Sequence, residues 1–230
     1  MQDKVVVVTG AFGVLGGAVA EVAAARGARV AALGSHGPAP AALEAALGEG
    51  GLIAGGHDLS TEAGAKAAMQ AVLDRFGRID ALLNIAGGFR WQTTAEGDTA
   101  TWERLYATNV LTTLHATRAA LPALVAAGGR IVNVGAAGAL KAGAGMGAYA
   151  ASKSGVHRLT EGLAEELKGK VAVNAVLPSI IDTEANRADM PDADPSAWVT
   201  TTELAAVILF LASSEASGVT GALVPVTGRV

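Results

Sequence analysis

The chain has 230 residues, is 51% hydrophobic but only 4% aromatic, and carries no cysteine and a formal net charge of −4. This supplies one large aliphatic core and excludes disulfides, thiolate metal sites and cysteine catalysis. A mildly acidic chain without blocks of like charge offers no broad nucleic-acid surface. MQDKVVVVTG at the start has no signal-peptide layout, and no apolar run reaches the length of a membrane span. The expectation is a cytoplasmic globular protein whose partner is a small molecule, not nucleic acid or membrane.

Val5–Val8 is a β-branched run closed by Thr9 and Gly10, and it reads as a strand buried on both faces. Helical spacing follows from Val14 to Ala25. Arg29–Leu33 is predicted as a strand, Ala39–Leu47 as a helix, Leu52–Ala54 as a strand, and Thr61–Phe76 as a helix ending at Gly77. Ile79–Ile85 is a strand and Thr99–Ala127 a long helical region, which Pro122 is expected to bend or interrupt. Arg130–Val134, Ala148–Leu167, Lys170–Leu177, Thr201–Ala212 and Ala222–Val226 continue the alternation as strand, helix, strand, helix and strand. Alternating strands and helices predict a single α/β domain over residues 1–230, a doubly wound parallel sheet with helices on both faces. The least regular stretches, Ala86–Asp98, Ala136–Gly147 and Pro178–Thr200, all follow strands, at the sheet edge where ligands bind in such folds.

Gly10, Gly13 and Gly16, with Phe12, Val14 and Leu15 between them, form a strand-to-helix turn through which backbone can approach a pyrophosphate at a helix N-terminus. The end of the second strand should meet the adenosine ribose. An acid there selects NAD; Gly34 stands in its place, followed by Ser35 and His36. No carboxylate repels an extra phosphate and no arginine grips one, which leans slightly toward NADP over NAD. His36 is either a phosphate donor or an exposed loop residue. Asp58, followed by Leu59, is either a helix N-terminal carboxylate or a partner for the adenine edge. Asn84, Ala86 and Gly87 close the fourth strand in the same way.

Tyr149 and Lys153 stand four apart in a predicted helix and so share a face. A cation beside a phenol favours its ionised form, and such a phenol can give or take a proton. The ordinary alternative is a part-buried tyrosine beside a solvated lysine.

TGAFGVLG, DLS, NIAG, the Asn109 of TNV and YAASK occur in the order found in the short-chain dehydrogenase/reductase family, and the chain resembles that family over nearly its whole length. The resemblance implies a Rossmann-like domain, usually dimeric or tetrameric, moving a hydride between a nicotinamide and a carbonyl, alcohol or imine. It implies that Tyr149 is the proton donor, that Lys153 lowers its pKa and holds the nicotinamide ribose, and that Asn109 organises a helix kink and a water relay. It further implies that Thr183, Pro178 and the backbone around Ile181 meet the nicotinamide carboxamide or pyrophosphate.

Three positions depart from the pattern. Val14 replaces the middle glycine, Ser179 replaces the glycine after Pro178, and Ala136 stands thirteen residues before Tyr149, where the family carries its catalytic serine. No hydroxyl residue lies between Val134 and Tyr149. Dihydropteridine reductases depart in a similar way, and GMGAYAASKSGVHRL and IDTEANRADMPDADPSAW also resemble that branch, although its members keep an acid where Gly34 stands.

The substrate pocket is expected between the three loops. Phe89 and Trp91 lie in the first, Lys141 and Met146 in the second, and Met190, Asp194 and Trp198 in the third, with Ala136 beside them. Their rings either stack a planar substrate or cap the core. Lys141 meets an anionic or carbonyl group or is solvated. His157 continues the row Tyr149, Lys153 and suits a core or interface role. The expected activity is reduction of an activated C=N, quinonoid or carbonyl substrate, with a generic alcohol dehydrogenase or a dinucleotide-binding regulator as alternatives. Faces rich in Ala and Leu on Thr99–Ala127 and Ala148–Leu167 suit a homodimer or homotetramer.

Overall fold

Val5–Thr9 (β1) shows why the chain folds in three layers. Val6 and Val8 enter one apolar cluster and Val5 and Val7 the other, as the two-residue period of a strand requires. A computed structural model describes residues 1–35 and 37–230. It contains one seven-stranded parallel sheet. The strands are β1, Arg29–Leu33 (β2), Leu52–Ala54 (β3), Ala81–Asn84 (β4), Arg130–Val134 (β5), Ala172–Pro178 (β6) and Leu223–Val226 (β7), in the spatial order 3-2-1-4-5-6-7. Helices Val14–Ala25 (α1), Ala41–Leu47 (α2) and Thr201–Leu211 (α8) close one face. Helices Glu62–Phe76 (α3), Thr112–Ala127 (α5) and Gly147–Glu166 (α6) close the other. The predicted doubly wound α/β sheet is the fold observed.

Two expectations are corrected. Pro122 does not interrupt the long helix: α5 runs through it to Ala127, and the break lies upstream, where a π-helical turn, Ala107–Leu111, separates α5 from Thr99–Tyr106 (α4). The turn is held from outside the helix. Asn109 Oδ1 accepts from the Gly88 amide at 2.8 Å and its Nδ2 donates to the Gly88 carbonyl at 3.1 Å. The Thr112 and Thr113 hydroxyls donate to the carbonyls of Thr108 and Asn109 within it. Secondly, a short helix, Glu184–Asp189 (α7), lies in a stretch expected to be irregular; Thr183 caps it by accepting from the Asn186 amide. The Thr99–Ala127 run is also long and apolar enough, by length and composition, to cross a membrane. Here α4 packs on α6 and α5 on α3.

At the amino edge of the sheet one carboxylate joins three strands. Asp80 accepts from the Val5 amide at 2.9 Å and pairs with Arg78 and Lys4. Its backbone amide donates to the Val5 carbonyl, and its carbonyl accepts from the Arg130 amide. Burial alone would raise its pKa; the Val5 amide and the two cations outweigh burial and hold it below 3.8. The stabilisation is therefore present above 3.8 and is lost as pH falls through the lowered value. We expect Asp80→Ala to cost about 2–4 kcal/mol in urea unfolding at neutral pH. The difference from wild type should narrow below pH 3.8.

Candidate active site

The carboxyl ends of β1 and β4 are locked together. Thr9 Oγ1 accepts from the amides of Ile85 and Ala86, both at 3.1 Å. Gly10 follows at φ +67, so close to Ala86 that a Cβ there would lie 2.8 Å from its backbone. A Cβ on Gly16 would lie 2.1 Å from the Gly10 carbonyl, so the turn closes only as bare backbone. Helix α1 starts on Gly13, which has no side chain to cap it, and leaves the first-turn amides unsupported by any side chain. Beside this turn lies a cleft of about 770 Å³, lined by Gly10, the Phe12 to Gly16 stretch, Gly34, Ser35, Asp58, Ala86 and Gly87 among others. A backbone-only cradle on a helix N-terminus fits the pyrophosphate of a dinucleotide.

Most predicted cofactor residues meet in this cleft, but four do not line it. Asn84 is buried, with its Nδ2 donating to Asn133 and Thr117 inside the sheet; strand register places it opposite Asn133, and its neighbours Ala86 and Gly87 take the cleft wall. Pro178 ends β6, Ile181 bridges to Val199 and accepts from Asn186, and Thr183 caps α7. Asp58 has the helix N-terminal place expected of it and also faces the cleft. It lines the cleft, and its Oδ1 accepts from the Ser60 amide and hydroxyl ahead of α3. His36 lies outside the described residues. Thr108 and Thr112 also line the cleft and were not anticipated; their sequence signal is proximity to Asn109.

Tyr149, Lys153 and His157 lie on one face of α6 against the end of β5. Lys153 is buried and donates to the Val134 carbonyl at 2.8 Å. Burial pulls its pKa down to about 8. Asn109 reaches the same place, since a Cβ on Gly87 would lie 2.7 Å from its Oδ1 and 3.2 Å from Lys153 Nζ. Asn109 also donates to Ser152, which in turn donates to the Tyr149 carbonyl. The resemblance implied a lowered phenol pKa; here burial pushes Tyr149 up to about 12. The phenolate is poorly hydrated at this position and the lysine's bond goes to backbone. Tyr149 is accordingly held as a neutral phenol at ordinary pH.

Ala136 is buried, and its amide donates to His157 Nε2 at 3.3 Å. The accepted bond places the imidazole's proton on Nδ1. Burial first, then Arg158 and Lys153, lowers the His157 pKa and keeps the ring neutral. A Cβ on Gly135 would lie 2.4 Å from the same nitrogen, so the imidazole dictates small residues at the β5 exit. His157 thus has a core role, as its spacing suggested, but one that shapes the site.

Among the substrate-pocket residues, Phe89 and Tyr149 meet edge to face with ring centroids 4.9 Å apart. Trp91 donates to the Ala144 carbonyl and Gln92 to that of Gly145, so the first two loops are tied together. Phe89 and Trp91 are 59% and 55% exposed. Met146 and Met190 are half-buried and Lys141 is exposed. Trp198 is not a pocket residue: it is 3% exposed, and Gly228 packs against the backbone at Trp198 and Val199. Asp194 caps a short turn through Ser196.

The sequence matches the short chain dehydrogenase family model over residues 4–194. It is 31% identical to the 3-oxoacyl-acyl-carrier-protein reductase FabG of Vibrio cholerae, over 99% of this chain and 97% of that one. It is 34% identical to D-threitol dehydrogenase of Mycolicibacterium smegmatis, over 99% and 93%. The structure of carveol dehydrogenase from Mycobacterium avium in complex with NAD superposes with a TM-score of 0.85 at 26% identity, over 99% of this chain and 97% of that one.

The buried ammonium of Lys153 generates a prediction. Between pH 8 and 10.5 the unfolded chain binds this proton more readily than the folded one, so wild type gains stability as pH rises through that window. Lys153→Met should be at least as stable as wild type at pH 7 while losing activity. Its advantage should shrink by roughly 3 kcal/mol toward pH 10.5 in chemical unfolding.

Proposed function

The chain belongs to the short-chain dehydrogenase/reductase family of NAD(P)-dependent oxidoreductases that act on small molecules, and we propose that its own reaction is the reduction of an already activated acceptor. Conjugated imines, quinonoid rings and activated carbonyls are the class meant. The observation that carries this reading is Ala136. The position has no hydroxyl to polarise a substrate oxygen, and its amide is committed to His157. A missing donor of that kind ordinarily costs about 100-fold or more in rate on an unactivated ketone. An acceptor polarised by its own conjugation needs it less.

A bound nicotinamide supplies the hydride. Gly10 to Gly16 and the first turn of α1 would hold the pyrophosphate, and Lys153 and Asn109 would serve the nicotinamide end. Tyr149 gives its phenolic proton to the substrate nitrogen or oxygen as the adjacent carbon accepts the hydride. A proton from solvent, passed along Lys153 and Asn109, would restore the phenol. Phe89, edge-on to Tyr149 and mostly exposed, offers a flat apolar wall to a planar substrate. The stretches shared with dihydropteridine reductases support the same substrate shape. The missing carboxylate at Gly34 supports acceptance of NADPH alongside NADH.

A second reading, an ordinary ketone reductase or alcohol dehydrogenase, is supported by the ketoacyl reductase and diol dehydrogenase relatives. Exposed Trp102 and Tyr106 on α4, at 40% and 51%, support assembly into a homodimer or tetramer. We place the protein in the cytoplasm as one unit spanning 1–230.

A panel of quinonoid dihydropterin, cyclic imines, quinones and simple ketones distinguishes the readings; a clear preference for simple ketones sinks the first. Tyr149→Phe should lower kcat on every accepted substrate by at least about 100-fold; undiminished turnover would refute the role given to the phenol. Ala136→Ser should raise kcat/KM on simple ketones about tenfold or more while changing little on preactivated acceptors.

A further inference from the structure

Gly34 is buried at the end of β2, and a Cβ there would fall 2.2 Å from Cδ2 and 2.4 Å from Cγ of Phe12. Both atoms belong to the root of the ring, so a small rotation cannot clear them. The ring also lies against the end of β3, where a Cβ on Gly55 would be 3.4 Å from Cε2. Backbone bonds fix the arrangement from both sides. The Ala11 amide donates to the Leu33 carbonyl at 3.0 Å, stitching the glycine turn to β2, and the Gly34 amide donates to the Ala54 carbonyl at 3.0 Å. Phe12 therefore occupies the volume into which a side chain at position 34 would project. Position 34 is glycine because the ring is there.

We propose that Phe12 removes cofactor selection at the adenosine end of the cleft, an apolar ring set where a charged side chain would otherwise choose between a 2′-hydroxyl and a 2′-phosphate. The proposal rests on the dinucleotide reading of the cleft. Its consequence is indifference. Asp58 is the one charged side chain among the described residues lining the cleft, and its Oδ1 already accepts two bonds from Ser60. No described lining residue is a cation able to reward the phosphate, and none at position 34 penalises it. The absence of an acid at the strand end thus follows from packing and is not by itself a mark of NADPH preference.

The test is equilibrium binding of NADH and NADPH, followed by nicotinamide fluorescence, on the full chain and three variants. Wild type should bind the two within about tenfold of each other. Gly34→Asp should weaken both by at least about tenfold without changing their ratio, because its carboxylate must first displace the ring. Phe12→Ala/Gly34→Asp should recover NADH binding to within about threefold of wild type and disfavour NADPH by about 30-fold or more. Should Gly34→Asp fail to fold by circular dichroism, Gly34→Ala serves instead: it should weaken both cofactors, and Phe12→Ala in the same chain should reverse the loss. A wild-type preference above tenfold overturns the proposal, as does NADH selectivity in Gly34→Asp with wild-type NADH affinity. In those cases the cofactor reading stands. If wild type binds neither dinucleotide, both readings fall.

Discussion

A buried ammonium organises the catalytic half of this molecule. Lys153 is 5% exposed and makes its hydrogen bond to a backbone carbonyl, not to a carboxylate. Withdrawing such a charge from water costs several kcal/mol unless polar groups converge on it. The local structure supplies oxygens instead of a counterion. The carbonyl of Val134 is brought by β5, and the Asn109 carboxamide approaches from the π-helical turn. The turn is the geometric condition for that approach. It adds a residue to the helix and frees Asn109 to clasp Gly88 on both its amide and its carbonyl. Gly87 has to be glycine because these two side chains fill the place of its Cβ. The strand end, the helix break and the loop are thus three answers to one electrostatic requirement.

The same face of α6 shapes the exit of β5 next to position 136. His157 lies one turn below Lys153 and accepts the Ala136 amide. Protonating it would remove that acceptor and set a second cation near the first, in keeping with the lowering that burial, Arg158 and Lys153 produce. Its ring also forbids a side chain at Gly135. Imidazole and Gly135 thus pack as a unit, to which Ala136 is joined by its backbone amide.

The parts legible in the sequence are those whose signal is local. Val5–Thr9 is continuous in apolar residues because both of its faces are covered, and that alone identifies a central strand of a parallel sheet. The glycine turn is equally local. What was hidden depends on distant partners. Pro122 signalled a break in the long helix, but α5 continues through it, whereas the real break at Asn109 is enforced by Gly88 from another loop. Asn84 looks like a site residue at a strand end; only the register with β5 reveals that Asn133 claims it. Trp198 sits among polar residues and is covered by a C-terminal segment some thirty residues further on, with the Arg229 amide bonded to Ala197. Phe12 occupies a variable position of the turn, and nothing nearby in sequence says that its ring will cover Gly34.

The two ends of the cleft have a common logic. At the adenosine end an aromatic ring fills the space where a charge would discriminate between cofactors. At the reactive end Ala136 stands at the position from which a hydroxyl could reach an acceptor, next to a Gly135 whose side-chain space the His157 ring fills. Polar sites reject analogues strongly because a buried group is left unpaired when the wrong ligand binds, whereas apolar walls differ by only about 1–3 kcal/mol per methylene. Selectivity built this way resides in shape, and the walls that supply shape near Tyr149 are Phe89 and the paired loops around Trp91 and Ala144. In the proposed reaction Tyr149 would give the proton, and the substrate would bring its own polarisation. Under that reading, the acceptors of this chain are set less by what its site donates than by what fits between those walls.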